Sequence, residues 1–297
     1  MRIDFIGRQA NLMVAVTAIA MIVLAHGMTA GNATSNGRGK SMEIKTEQRY
    51  AYVNGLQMYY EIHERHVGSD HRPLLLIHGG GSTIDSTFGR ILPEFAQSRE
   101  VIAVELQAHG RTKDIDRPLS FEQDADDVAT LLKQLHIGSA DVMGFSNGGM
   151  SALQVAIRHP QMVNKLVLAS TPYKRDGMRA DFFEGLQRAT LNEMPEPLKN
   201  AYLKASQDPK GLQVMFDKDR ARMLDFRDFS DSDIHAIQAP TLVLDGDEDV
   251  VLPKHALALF QLLPHAQLAI LPGGHGEYLG EVCARNPIAK SRHWWLV

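Results

Sequence analysis

The chain has 297 residues, a length that fits one large α/β domain or two smaller ones. Hydrophobic residues make up 44% and charged residues 22% of it, and its formal net charge is -4 at pH 7. These values are close to those of average globular proteins, which disfavours a disordered chain and a nucleic-acid-binding one. Cys283 is the sole cysteine, so an internal disulfide is excluded. We expect a buried, unreactive thiol there, with a catalytic thiol as the alternative.

The N-terminus has the pattern of a secretory signal peptide. Arg2 and Arg8 precede an apolar run from Leu12 to Ala25, which is short for a membrane span, and Ala25 and Gly27 offer small residues for cleavage. An uncleaved N-terminal membrane anchor is the alternative. We therefore expect residues 1–40 to be signal peptide and flexible leader, and the protein to be secreted or periplasmic.

A β-hairpin is predicted next, because two runs with a period of two meet at Asn54 and Gly55, a strong signal for a tight hairpin turn. Six short apolar runs follow: "PLLLIHG", "VIAVEL", "DVMGF", "KLVLAS", "PTLVLDG" and "QLAILPG". They suit the buried interior of a parallel sheet. Stretches at 121–136 and 254–263 have helical spacing. The alternation predicts a doubly wound, mostly parallel α/β sheet.

The alternation breaks between about 172 and 236. That stretch has helical spacing and no strand-like run, and Pro195, Pro197 and Pro209 divide it into short pieces. We interpret it as a helical insertion that forms a lid above the sheet, within a domain covering 41–297. Its apolar residues could pack the lid on itself, roof an active site, or both; they are Phe182, Phe183, Leu186, Met215, Phe216 and Met223.

Ser146 stands at the end of the strand-like run "DVMGF", where a helix-like run begins. Ligands of parallel α/β sheets bind at the carboxyl ends of the strands. A sharp strand-to-helix turn crowds the residues two before and two after its centre, which accounts for Gly144 and Gly148. The turn exposes the hydroxyl above a helix N-terminus. Ser146 is therefore a candidate nucleophile.

A serine nucleophile needs a histidine base and an acid that orients the base. Among thirteen histidines, His275 follows the last strand-like run in a glycine-rich loop. The acid should come from the loop after "PTLVLDG". It offers four candidates, of which we favour Asp249 because it reaches furthest round the loop: Asp245, Asp247, Glu248 and Asp249. Asp247 is placed to cap the turn after Gly246.

From about Arg49 to Glu281 the chain resembles the α/β-hydrolase fold superfamily, in its serine hydrolase and carboxylesterase-like branch. The order Ser146, Asp249, His275 matches that family, as do "LLLIHGGGST" before the oxyanion loop and "GDEDVVLP" around the acid. In "ELQAHGRT" the family more often has glycine where this chain has Ala108. The family usually ends in a full helix, whereas this chain ends in "NPIAKSRHWWLV".

The resemblance implies acyl transfer through a covalent intermediate, with Ser146, His275 and Asp249 as the catalytic residues. Backbone N–H groups of Asn147 and of Gly80, or else Gly81, would form the oxyanion hole. No metal or other cofactor is expected. The expected partner is a small-molecule ester; a lactonase, a thioesterase, a carbon-carbon bond hydrolase or a slow-turnover ligand-binding protein are the alternatives.

Overall fold

The computed structural model describes residues 44–64 and 72–284. The predicted signal peptide and leader, and the C-terminal Trp294 and Trp295, lie outside these ranges. Across the described residues, no helix has the length and apolar character needed to cross a membrane.

The predicted hairpin is confirmed. Strands β1 (Lys45–Val53) and β2 (Leu56–Glu64) pair antiparallel, with Val53 opposite Leu56. The two turn residues have positive φ, 48° at Asn54 and 86° at Gly55, which is the backbone twist that a two-residue hairpin requires. The hairpin forms one edge of the sheet because β2 continues the pairing to the next strand.

The described residues form one eight-stranded sheet in the order β1-β2-β4-β3-β5-β6-β7-β8. From β4 to β8 every neighbouring pair is parallel, and β2 lies antiparallel to β4. Each of the six predicted apolar runs is a strand: β3 (Leu74–Ile77), β4 (Val101–Val104), β5 (Ala140–Phe145), β6 (Val163–Ala169), β7 (Thr241–Gly246) and β8 (Ala266–Leu271). The predicted α/β sheet is confirmed.

Helices cover the sheet between the strands. Two short ones, α1 (Ile84–Phe88) and α2 (Leu92–Ala96), separate β3 from β4. The longer connections are α3 (Phe121–Gln134), α4 (Asn147–Arg158) and α9 (Pro253–Leu262). Helix α3 begins where the Ser120 hydroxyl accepts a hydrogen bond from the Gln123 N–H, and its apolar face is buried in the core.

The insertion lies between β6 and β7. Its residues form four α-helices, and no strand of the sheet lies between β6 and β7. The helices are α5 (Phe182–Arg188), α6 (Glu196–Ser206), α7 (Pro209–Leu224) and α8 (Asp231–His235). The prolines stand at helix starts: Pro195 precedes α6, Pro197 lies in its first turn, and Pro209 is the first residue of α7. Proline is tolerated there because the first N–H groups of a helix have no partner within the helix. The prolines thus separate the helices of the insertion.

Candidate active site

Ser146 lies at the turn between β5 and α4. Its φ of 54° and ψ of -121° fall in a region that side-chain-bearing residues rarely adopt. A Cβ on Gly144 would collide with the carbonyl oxygen of Gly148, and one on Gly148 would collide with those of Ile77 and His78. The crowding that we predicted around Ser146 is present, and part of it comes from the end of β3.

Ser146, His275 and Asp249 form one chain of hydrogen bonds. The Ser146 hydroxyl lies 3.1 Å from His275 Nε2, and His275 Nδ1 lies 2.7 Å from Asp249 Oδ1. With Nδ1 donating to the carboxylate, Nε2 is free to accept the serine proton. The three residues come from the ends of different strands, so only the folded sheet brings them together.

Asp249 is buried and held by several donors. The Ser170 hydroxyl donates to its Oδ2 over 2.6 Å, and the Val251 N–H donates to its Oδ1 over 3.0 Å. Tyr278 Oη lies 2.6 Å from the Ser170 hydroxyl. Burial alone would raise the pKa of Asp249, but His275 and these hydrogen bonds outweigh it and hold the pKa below its usual value. Ser170 and Tyr278 are site residues that the sequence analysis missed.

The other two aspartates of this loop have different surroundings. Asp247 is exposed, and its Oδ1 accepts a 2.8 Å hydrogen bond from the Gly273 N–H, so it joins this loop to the loop after β8 instead of capping its own turn as predicted. Asp245 is 1% exposed, and its Oδ2 has no hydrogen-bond partner among the described residues. Burial, with the neighbouring charge of Asp249, raises the pKa of Asp245 to about 8. Asp245 therefore keeps its proton to a higher pH than an ordinary aspartate.

The loop after β3 offers backbone donors near Ser146. The Gly81 N–H points to His109 Nε2, 3.3 Å away, and His109 Nδ1 donates to the Gln107 carbonyl over 2.9 Å. Within the described residues, the N–H groups of Gly80 and Asn147 have no hydrogen-bond partner. The geometry favours Gly80 over Gly81 as a donor to an oxyanion. His109, which accepts the Gly81 N–H, is a further residue beside the oxyanion loop that the sequence analysis missed.

His78 joins two loops. Its Nδ1 donates to the Gly79 carbonyl over 2.8 Å, and its Nε2 accepts the Leu106 N–H over 3.1 Å. Burial, and then the nearby His109, lower the pKa of His78 to about 3, so its ring is neutral. These contacts give His78 the structural role of connecting the end of β3 to the loop after β4.

Ala108 lies in that second loop with a φ of 67°. This left-handed conformation explains why glycine is the commoner residue at this position, since a Cβ costs about 1 kcal/mol there. The methyl group is 2% exposed and packs in a cluster with Met194, Tyr202, Leu212 and Met215 of the insertion. Ala108 thus adopts the left-handed conformation, and its methyl group adds a contact with the insertion.

Helix α7 also brings charged residues to the site. Asn147 Nδ2 donates to Asp219 Oδ1 over 3.2 Å, and Arg222, one turn later, pairs with Asp219 and with Asp124 of α3. The Asp124 carboxylate in turn accepts a 2.8 Å hydrogen bond from the Ser151 hydroxyl. No sequence signal identified these residues, because their roles depend on how α7 packs on the core.

Two other residues with reactive side chains lie away from Ser146. His255 is buried and accepts a 3.0 Å hydrogen bond from the Tyr173 N–H, so its ring is a hydrogen-bonded part of the core. Cys283 is half-buried, and burial raises the pKa of its thiol to about 12, which agrees with an unreactive thiol. In the part of the chain that the structure describes, no group of three acidic, histidine or cysteine side chains could hold a metal ion.

Comparison with known proteins places the chain in a family. Residues 72–217 match the model of the α/β hydrolase fold. The 2-hydroxymuconate semialdehyde hydrolase of Pseudomonas sp. (strain CF600) is 30% identical over 227 residues, which are 67% of this chain and 78% of that protein. The pimeloyl-[acyl-carrier protein] methyl ester esterase of Nitrosomonas europaea is 28% identical over 234 residues, 69% of this chain and 89% of that protein.

Among solved structures, a variant of the meta-cleavage product hydrolase CumD from Pseudomonas fluorescens IP01, complexed with acetates, has a TM-score of 0.65 at 23% identity. The match covers 77% of this chain and 91% of that one. At this identity the likeness shows the fold, and it agrees with the sheet order and the helical coverage described above. The chain therefore belongs to the α/β-hydrolase fold family and is a hydrolase.

Proposed function

We propose that this hydrolase cleaves small or medium carboxylic esters through an acyl-enzyme intermediate. The observation that carries the proposal is the hydrogen-bonded chain from Ser146 through His275 to Asp249, which ends in a carboxylate held ionised. A serine with a positioned imidazole and an oriented carboxylate is the arrangement that acyl transfer needs.

In the proposed reaction His275 Nε2 takes the Ser146 proton as the serine oxygen attacks the ester carbonyl. The imidazolium then gives that proton to the departing alkoxide, and the acyl group stays on Ser146. A water molecule, deprotonated by the same nitrogen, releases the acid and restores the serine. Asp249 holds the ring with Nδ1 protonated throughout and stabilises the imidazolium.

The Gly80 and Asn147 N–H groups would bind the carbonyl oxygen as it becomes negative. Both are unpaired within the described residues and belong to segments fixed by the end of β3 and the start of α4. Donors that are already oriented stabilise the tetrahedral intermediate strongly, and loss of one typically costs about 10²-fold or more in rate.

Apolar residues of the insertion support an ester with a modest acyl chain. The Met194 side chain lies close enough to Gly81 that an added Cβ would be 3.2 Å from its methyl group, and Leu198 is the next neighbour at 4.0 Å. An apolar surface over the oxyanion loop suits an ester better than a charged substrate. A lactone or a thioester could use the same residues, and a slow-turnover ligand-binding protein would keep them with little catalysis.

Carbon-carbon bond hydrolysis is the second candidate. It is favoured by the similarity to proteins named for 2-hydroxymuconate semialdehyde and 2-hydroxy-6-oxo-2,4-heptadienoate. Both compounds are carboxylates. We rank ester hydrolysis first because the apolar side chains of Met194 and Leu198 lie against the oxyanion loop, a surface that suits a neutral substrate better than a charged one.

The test is replacement of Ser146 by alanine. We expect Ser146→Ala to lower kcat/KM on 4-nitrophenyl butyrate at least about a thousandfold, because the nucleophile and base act as a unit. Labelling by a fluorophosphonate probe should be lost as well. Ser98→Ala is the matched control, since Ser98 is exposed and its hydroxyl donates to the Phe95 carbonyl and to no other group among the described residues. Undiminished hydrolysis by a folded Ser146→Ala protein would contradict the proposal, and turnover of a dienoate but no ester would favour the second candidate.

A further inference from the structure

A carboxylate of the insertion lies beside the proposed oxyanion hole. Asp219 Oδ1 accepts a 3.2 Å hydrogen bond from Asn147 Nδ2, and a Cβ added to Gly80 would lie 2.5 Å from Asp219 Oδ2. Asp219 is thus adjacent to both residues whose backbone N–H groups would hold the oxyanion. No step of the proposed reaction uses it.

The ion pair that Asp219 forms has a definite orientation. The Arg222 guanidinium pairs with Asp219 but also lies 2.7 Å from Asp124 Oδ2 and 4.6 Å from the centre of the Phe121 ring, both on α3. Arg222 pairs with Asp219 Oδ1, whereas Oδ2 is the Asp219 oxygen nearest to Gly80. The negative end of the pair faces the oxyanion loop.

Asp219 is charged at neutral pH. Burial alone would raise its pKa, but the Arg222 guanidinium brings the pKa well below its ordinary value. Arg222 shares its charge with Asp124, whose pKa is raised by burial, and the nearby His78 is neutral. Arg222 therefore offsets only part of the negative charge that Asp219 presents to the oxyanion loop.

We propose that Asp219 is a specificity-determining residue that excludes esters whose acyl chain carries an anionic group and admits neutral and cationic ones. This inference rests on the proposed ester hydrolase activity. Two like charges about 6 Å apart repel by enough to change a rate about a hundredfold at an effective dielectric constant of about 20. Because Arg222 offsets part of this, we expect a discrimination of about tenfold or more.

The experiment compares three esters with the same leaving group and acyl length: methyl 4-nitrophenyl adipate, its free acid 4-nitrophenyl hydrogen adipate, and 4-nitrophenyl 6-aminohexanoate. For the wild type, kcat/KM should be at least about tenfold lower for the anion than for the neutral ester. In Asp219→Asn, which keeps the shape and the contact with Asn147, this ratio should fall to within about threefold. Rates without enzyme are subtracted, because a free carboxylate can attack its own ester.

Asp217→Asn is the matched control. Asp217 lies on the same helix, is exposed, and accepts hydrogen bonds from Gln213, so its removal should leave the anion-to-neutral ratio unchanged. Equal kcat/KM for the anionic and the neutral ester in the wild type would overturn the inference. A folded Asp219→Asn protein that keeps the wild-type ratio would overturn it as well. If the neutral ester is hydrolysed and only the ratio fails, this inference alone is wrong; if none of the three is hydrolysed, the proposed function is wrong too.

Discussion

At the scale of single residues, two aspartates four positions apart have pKa values shifted in opposite directions. Asp249 is held ionised by His275, Ser170 and the Val251 N–H, whereas Asp245 is buried beside that negative charge with one oxygen unpartnered within the described residues. Environments that push the pKa values of neighbouring acids apart assign them different roles. Asp249 is fitted to orient a base, and the environment of Asp245 favours its protonated form.

Replacing each candidate acid by its amide separates their roles. Asp249→Asn should lower kcat/KM on 4-nitrophenyl butyrate by roughly 10⁴-fold, because an amide does not hold the required tautomer of His275. Asp247→Asn should change it by less than about threefold, since an amide oxygen can still accept the Gly273 N–H. Both variants are checked for folding by thermal unfolding. The reverse order of effects would show that the acid had been assigned to the wrong residue.

Asp245 should make stability depend on pH. Its pKa is about 8 in the folded protein and about 4 in an unfolded chain, so between those values the folded state binds more protons. Stability therefore falls as pH rises from about 4 to about 8. Asp245→Asn removes this loss, and its Tm should exceed that of the wild type by a larger margin at about pH 8 than at about pH 5. A margin that is the same at both pH values would contradict the ionisation of a buried Asp245.

At the scale of elements, the sequence predicted what depends on local pattern. The strand runs and the turn at Ser146 are each set by neighbours within a few residues, so local pattern predicted them. Asp249 was favoured among four acids by its place in the loop and by the family resemblance. Crowding at Gly144 follows from the same local turn. These features could be predicted because their causes lie within the segment that shows them.

Contacts between residues that are far apart in the sequence could not be predicted in that way. Asp219 contacts Asn147 across 72 positions of sequence, and Ser170 contacts Asp249 across 79. Met194 reaches Gly81 because of where α6 and its preceding turn pack on the oxyanion loop. Helical spacing predicts a helix at α7, but it does not show which side chains of that helix contact the core. Residues that act through such packing need the folded structure to be found.

At the scale of the whole molecule, Arg222 connects the insertion to the core through a buried cluster of charges. Arg222 is 6% exposed and pairs with Asp219 on its own helix and with Asp124 on α3. Buried charges are strongly destabilising when a partner is removed, because the remaining charge has lost both its partner and its water. We expect the insertion and the sheet to unfold together.

Arg222→Met tests this connection. Loss of the guanidinium leaves the buried Asp124 and the partly buried Asp219 carboxyl groups without their cation and should cost about 3–5 kcal/mol, which for a chain of this size lowers Tm by roughly 10 °C. Arg220→Met is the matched control: Arg220 lies two residues away on α7 and, among the described residues, donates to the Leu186 and Gln187 carbonyls within the insertion, so about 1–2 kcal/mol is expected. Both are measured by thermal unfolding followed by circular dichroism.

The cause of the Arg222→Met loss can be separated from lost packing. Adding Asp124→Asn and Asp219→Asn to Arg222→Met removes the uncompensated charges, so part of the lost Tm should return, whereas a packing defect would persist or worsen. Equal Tm shifts for the two arginine variants, or no recovery in the triple variant, would mean that the cluster does not connect the insertion to the core. A second, lower transition in Arg222→Met would show instead that the insertion unfolds on its own once the cluster is broken, as expected if Arg222 is what makes the unfolding cooperative.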